Sequence, residues 1–243
     1  MRTFHALILA AAVVGTTTTL SPAHAFPSVP GAPAAAPVTV AGLMTSLDGM
    51  TLGLNAATDQ LGNAEIDLLD ALGHAERARD VKAQIDALKS LPASPERESK
   101  ILAVYTDASI SSEIMAASTE QGELDDARRA KVAAADGKRF GAAVKIAMVG
   151  VAAAGAIAQL VGLGQRIASA DASLLAEIAA VAASPKEWLA NVKGQLQALG
   201  QSSKAFGESN KAVTEAMKAV YKAKKIAPPD YKAIEETQKA STF

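Results

Sequence analysis

The stretch IAMVGVAAAGAIAQLVGLGQ, residues 146–165, carries no charged side chain between Lys145 and Arg166. Its length is enough to cross the hydrocarbon of a bilayer, so its reading separates a membrane protein from a soluble bundle. Composition favours the bundle. Seven of the twenty residues are Ile, Val or Leu, and each adds only about −0.3 to −0.6 kcal/mol towards insertion. Gly150, Gly155, Gly162, Gly164, Gln159 and Gln165 contribute little or oppose it. Gly150, Ala154, Ala158 and Gly162 recur at every fourth position, a row of small side chains over which another helix can come close. A helix apolar on all sides is buried in something. The expectation is the shared core helix of a soluble bundle, with the small row facing the nearest helix. The alternative is a membrane-active helix that uses the same row on insertion.

Working outward, Asp136-Gly137-Lys138 reads as the break that opens this third helix, which then runs from Arg139 to about Ala183. Upstream, Leu43, Leu47, Met50, Leu54, Ala57, Leu61, Ala64, Leu68, Ala71, Ala75 and Ala78 alternate steps of four and three, a heptad seam. Continued to Leu88, that first helix approaches ~70 Å at 1.5 Å per residue. Pro92 stops it. Ser94-Pro95-Glu96 restarts a second helix, with Ser as N-cap and Pro at the first helical position. Its apolar face is less tidy, through Ile101, Tyr105, Ile110, Ile114 and Leu124, and its charged end, residues 123–131, reads as a solvated face.

Downstream, Ser184-Pro185-Lys186-Glu187 is a complete capping box. The fourth helix then carries the seam Leu189, Val192, Leu196, Leu199, Ser203, Phe206, Asn210, Val213, Met217, Val220. Ser203 and Asn210 are polar residues at seam positions, which cost stability but can set register and partner choice. Lys218, Lys222, Lys224 and Lys225 oppose the helix dipole at its end, and Pro228-Pro229 terminates it. A short last helix follows over 231–239. The fold class expected is all-α, an elongated four-helix bundle of two long hairpins.

The N-terminus reads as an export signal. Arg2 supplies a positive start, residues 6–14 are apolar, and Ala23-His24-Ala25 matches an A-x-A cleavage site. Pro27, Pro30, Pro33 and Pro37 then favour an extended tether. The expected organisation is a signal peptide at 1–25, a linker at 26–42, the bundle at 43–227 and a short helix or tail at 228–243. The protein is expected in the periplasm or outside the cell.

Composition narrows the chemistry. Cleavage after Ala25 leaves 23 Lys plus Arg against 25 Asp plus Glu, a formal charge of −2, so bulk charge directs the chain to neither nucleic acid nor an anionic surface. There is no cysteine, hence no disulfide, thiolate ligand or thiol nucleophile. His74 is the one histidine beyond residue 25, too few for a bis-histidine haem or multi-histidine zinc site. No Gly-x-Ser-x-Gly elbow occurs, and residues 161–166 lack the Gly-Lys-Ser/Thr ending of a phosphate loop. These absences predict a non-enzyme without cofactor or metal. The expected function is protein–protein interaction in the cell envelope, with an unidentified partner or by self-association, and the alternative is membrane activity through 146–165.

Overall fold

A computed structural model describes residues 39–92, 95–120 and 122–240. The expected signal peptide, most of the linker and the Ser94 cap lie outside them. The described residues form eight helices: α1 (Val40–Leu72), α2 (Ala75–Lys89), α3 (Pro95–Tyr105), α4 (Ala108–Thr119), α5 (Asp126–Ala168), α6 (Ala172–Ala179), α7 (Pro185–Lys224) and α8 (Tyr231–Ala240). No strand occurs among them, so the all-α class holds.

The long helices are interrupted where local chemistry outweighs the heptad. The first is cut at Gly73, whose φ of 106° is in the left-handed region. Its amide donates to Asp70 O at 3.1 Å, and the His74 amide donates to Leu69 O at 2.9 Å, closing the helix end as a glycine does at this position. Ala78 stays buried, but on α2, which folds back along α1 so that Lys89 pairs with Asp59 at 2.7 Å. The second expected helix divides at Thr106-Asp107. The Asp107 carboxylate accepts from the Ser109 amide at 2.8 Å and caps α4.

The expected break at Asp136-Gly137-Lys138 is corrected: α5 runs through it, capped instead by Asp125, which accepts from the Arg128 amide at 2.7 Å. A mid-helix glycine costs about 1 kcal/mol, and tertiary packing at Gly137 outweighs it. The same helix ends earlier than expected, at Ala168. Ala170 turns through a φ of 56°, and Asp171 caps the short α6. Backbone hydrogen bonds to this cap and the Arg166 guanidinium hold its carboxyl down at about 2. The fourth helix begins where expected: the Glu187 amide donates to Ser184 Oγ at 3.5 Å.

α5 lies between the other two long helices. It is antiparallel to α1, with Lys145 reaching Gln60 and Gly73 beside Arg128. It is also antiparallel to α7, with Gly150 against Ser203 and Gly164 against Leu189. α4 flanks α7, and α8 rests on α5. The buried apolar residues fall into two clusters. One joins the N-terminal halves of α1 and α7 to the C-terminal half of α5 and to α6. The other joins the opposite ends of the long helices to α2 and α4.

Two glycines of α1 separate packing from propensity. A Cβ on Gly62 would stand 1.8 Å from the Tyr105 ring, whereas one on Gly49 would meet nothing within 4 Å. Tyr105 is fully buried and has no room to yield. Gly62→Ala should therefore lower stability by about 1–3 kcal/mol, and Gly49→Ala should raise it by up to about 1 kcal/mol. Urea midpoints moving in the same direction for both would contradict this packing.

Candidate functional site

α5 has two opposed faces. The inner one steps by three and four through Val132, Ala135, Arg139, Ala142, Ile146, Val149, Ala153, Ala156, Leu160 and Leu163, all buried. Arg139 is the one charge in that row. It lies between the two apolar clusters, which end at Leu61, Ala142 and Phe206 on one side and resume at Leu68, Ala135 and Val213 on the other. The gap holds a buried polar layer.

The layer is closed around one guanidinium. Arg139 Nε and Nη2 donate to Asp136 Oδ1 at 2.8 and 2.7 Å. Nη1 donates to Asn210 Oδ1, and Nη2 also reaches Thr214 Oγ1 at 3.2 Å. The other carboxylate oxygen of Asp136 accepts from the Tyr221 hydroxyl at 2.6 Å and from the Tyr231 hydroxyl. Burial, reinforced by this carboxylate, pushes both tyrosines well above their ordinary range, so their hydroxyls stay protonated and serve as donors. Charge, acceptors and donors balance, and the layer has the chemistry of a structural lock.

Glu65 of α1 borders it. The side chain is buried, and Oε2 has no hydrogen-bond partner among the described residues. Desolvation pushes its carboxyl up to about 8, against the pull of Arg139. Protonated at neutral pH, it leaves Arg139 and Asp136 as the layer's balanced pair.

The outer face of α5 steps through Gly137, Phe140, Val144, Ala147, Val151, Ala154, Ala158, Val161, Gln165 and Ala168. From Ala147 onward every member is exposed, with Val151 at 75% and Val161 at 60%. Across the most apolar window of this helix only 33% of the residues are buried inside the fold.

The four residues singled out in sequence separate here. Gly150 packs against α7: a Cβ there would stand 2.9 Å from Ser203 Cβ. Ala154, Ala158 and Gly162 are exposed, so the row does not face the nearest helix along its length. An every-fourth row winds about 40° per step on a 3.6-residue helix, whereas alternating steps of three and four hold one face. Of the two polar seam residues, Asn210 joins Arg139, while Ser203 Oγ is buried without a hydrogen-bond partner among the described residues.

Asp136, Arg139, Glu65, Tyr221 and Tyr231 were not anticipated as a group. The legible signal was Arg139 occupying an apolar heptad slot. His74 stands between Glu113, 3.1 Å from Nδ1, and Glu120, 3.6 Å from Nε2; the carboxylates face opposite ring nitrogens and cannot share one ion. No group of three His, Asp or Glu among the described residues is placed to hold a metal. No known family, curated protein or solved structure matches the chain.

Glu65 makes stability depend on pH. Its carboxyl titrates near 4.5 when unfolded and near 8 when folded. Between those values the unfolded chain has lost a proton that the native chain retains, so stability falls as pH rises, by about 1.4 kcal/mol per unit. Above 8 the contribution is flat. Glu65→Gln should gain stability over wild type progressively from pH 5 to pH 8. A constant difference in urea midpoint across that interval would show that the acid is not held neutral.

Proposed function

We propose that this chain is an exported, non-catalytic helical-bundle protein that acts by protein–protein contact, through the outer face of α5. The observation carrying this reading is the exposed row from Ala147 to Val161, on a helix whose opposite face is already fully packed. An exposed apolar row at heptad spacing is what a partner helix covers. In this reading residues 1–25 direct export, the chain between them and α1 forms a tether, α1 to α7 are the working bundle built as two hairpins, and 228–243 append to it. The partner is a second copy or another envelope protein.

Membrane insertion is the second reading, favoured by the same low burial of α5. The chemistry of the row weighs towards a protein partner. Alanines let a second helix backbone approach closely, whereas lipid rewards Leu, Ile and Phe. Between Ala147 and Val161 the row has none of these. The lone tryptophan, Trp188, is buried and supplies no aromatic anchor at an interface.

A photo-crosslinking side chain at Ala158 should capture a protein, either this chain or another. Val151→Lys should abolish that capture while changing fold stability by less than about 0.5 kcal/mol, as exposed positions do. Crosslinks to lipid alone, with dye release from liposomes, would favour membrane activity. Capture undiminished by Val151→Lys would remove the outer face from consideration.

A further inference from the structure

α8 is attached differently from every other helix. It contains no fully buried residue and packs against α5. Pro228 and Pro229 precede it, and proline lacks the amide that would continue the helical hydrogen bonds of α7. Tyr231, Ile234, Glu235 and Gln238 are half-buried, the i, i+3, i+4, i+7 face of a short amphipathic helix. That face meets the beginning of the outer row. A Cβ on Gly137 would stand 3.4 Å from Ile234 and 3.6 Å from Pro229, and one on Gly141 would stand 3.4 Å from both Ile234 and Gln238. Phe140 contacts Tyr231 with ring centroids 4.8 Å apart.

We propose that α8 is a strap that opens and closes on α5, covering the N-terminal end of the outer row and latched by the hydrogen bond from Tyr231 to Asp136. Opening leaves no buried charge unpaired, because Asp136 keeps both donors from Arg139 and the one from Tyr221. The cost includes the hydrogen bond to that charged acceptor and the cover over Phe140, Gly137 and Gly141. The bundle's two apolar clusters stay otherwise intact, since Tyr231 is the one α8 residue that packs on either, and it does so only at the margin. Open, the strap uncovers Gly137 and Phe140, two positions that continue the row of Ala147 at heptad spacing. The consequence for docking rests on the function proposed above. The opening itself is measured without a partner and stands or falls separately.

Hydrogen exchange followed by mass spectrometry on the full chain tests it. Amides of α8 should exchange on the order of 100-fold faster than those in the centre of α7, as a locally opening unit does. Tyr231→Phe removes the latch and should speed α8 exchange by a further factor of roughly 10 to 100, with α5 and α7 unchanged. Gly141→Leu fills the seat by another route, and should make Lys232 the first site of tryptic cleavage. Exchange in α8 as slow as in α7, or a Tyr231→Phe effect spread equally over α5 and α7, would show α8 to be part of the bundle's single cooperative unit and overturn the proposal. The wild-type and Tyr231→Phe exchange profiles decide between these outcomes even if Gly141→Leu does not fold.

Discussion

A guanidinium with no solvent exposure stands at the centre of this protein. Taking such a charge out of water costs several kcal/mol after relaxation, and breaking the resulting pair by losing one partner typically costs about 3–5 kcal/mol. The surroundings of Arg139 follow from that cost. Asp136, one turn earlier on the same helix, supplies the counter-charge, and α7 supplies Asn210 and Thr214. These acceptors occur at one place along α7. Asn210 and Thr214 are one turn apart, so sliding α7 along α5 by a turn would keep one of them beside the guanidinium and bring Phe206 or Lys218 in place of the other acceptor. Apolar seams tolerate such shifts far better, because one leucine resembles the next. The polar layer therefore sets the register in which both apolar clusters pack.

The same layer accounts for two secondary features. Glu65 faces a site whose one positive charge is already matched by Asp136, so its ionisation would add an unbalanced buried charge, and desolvation dominates its titration. Tyr231 reaches that site from outside the bundle, which gives a ten-residue helix without a core of its own a specific anchor. A carboxylate with two oxygens and several lone pairs accepts this extra donor without giving up Arg139 or Tyr221.

α5 thus performs two tasks on opposite sides. Its inner face carries the charge that orders the bundle, and its outer face carries alanines and valines that the bundle leaves uncovered. Both faces repeat at heptad spacing, so the helix is apolar almost all round. That property made residues 146–165 resemble a membrane span. The exposed face is shallow and free of charge, a shape suited to close approach by another helix. α8 already covers its first turns, with Ile234 and Pro229 above the glycines.

Several features were legible without coordinates. The helical class follows from heptads sustained over many turns and the α7 N-terminus from its Ser-Pro-x-Glu cap, because these signals act over a few neighbouring residues, whereas α7 ends at a left-handed Lys225 ahead of Pro228-Pro229. Whether Gly73 and Gly137 end helices was not legible. Both are poor helix formers. Gly73 turns left-handed where α2 can fold back on α1, while Gly137 stays helical between Asp136 and Arg139, whose side chains are held in the buried layer. The buried layer was visible only as an arginine in an apolar slot, since its partners other than Asp136 lie more than seventy positions away in sequence. Sequence periodicity determines that a helix has an apolar face. Tertiary structure decides which of two such faces is buried, because that depends on where the partners for the one charge in the inner row of α5 are found.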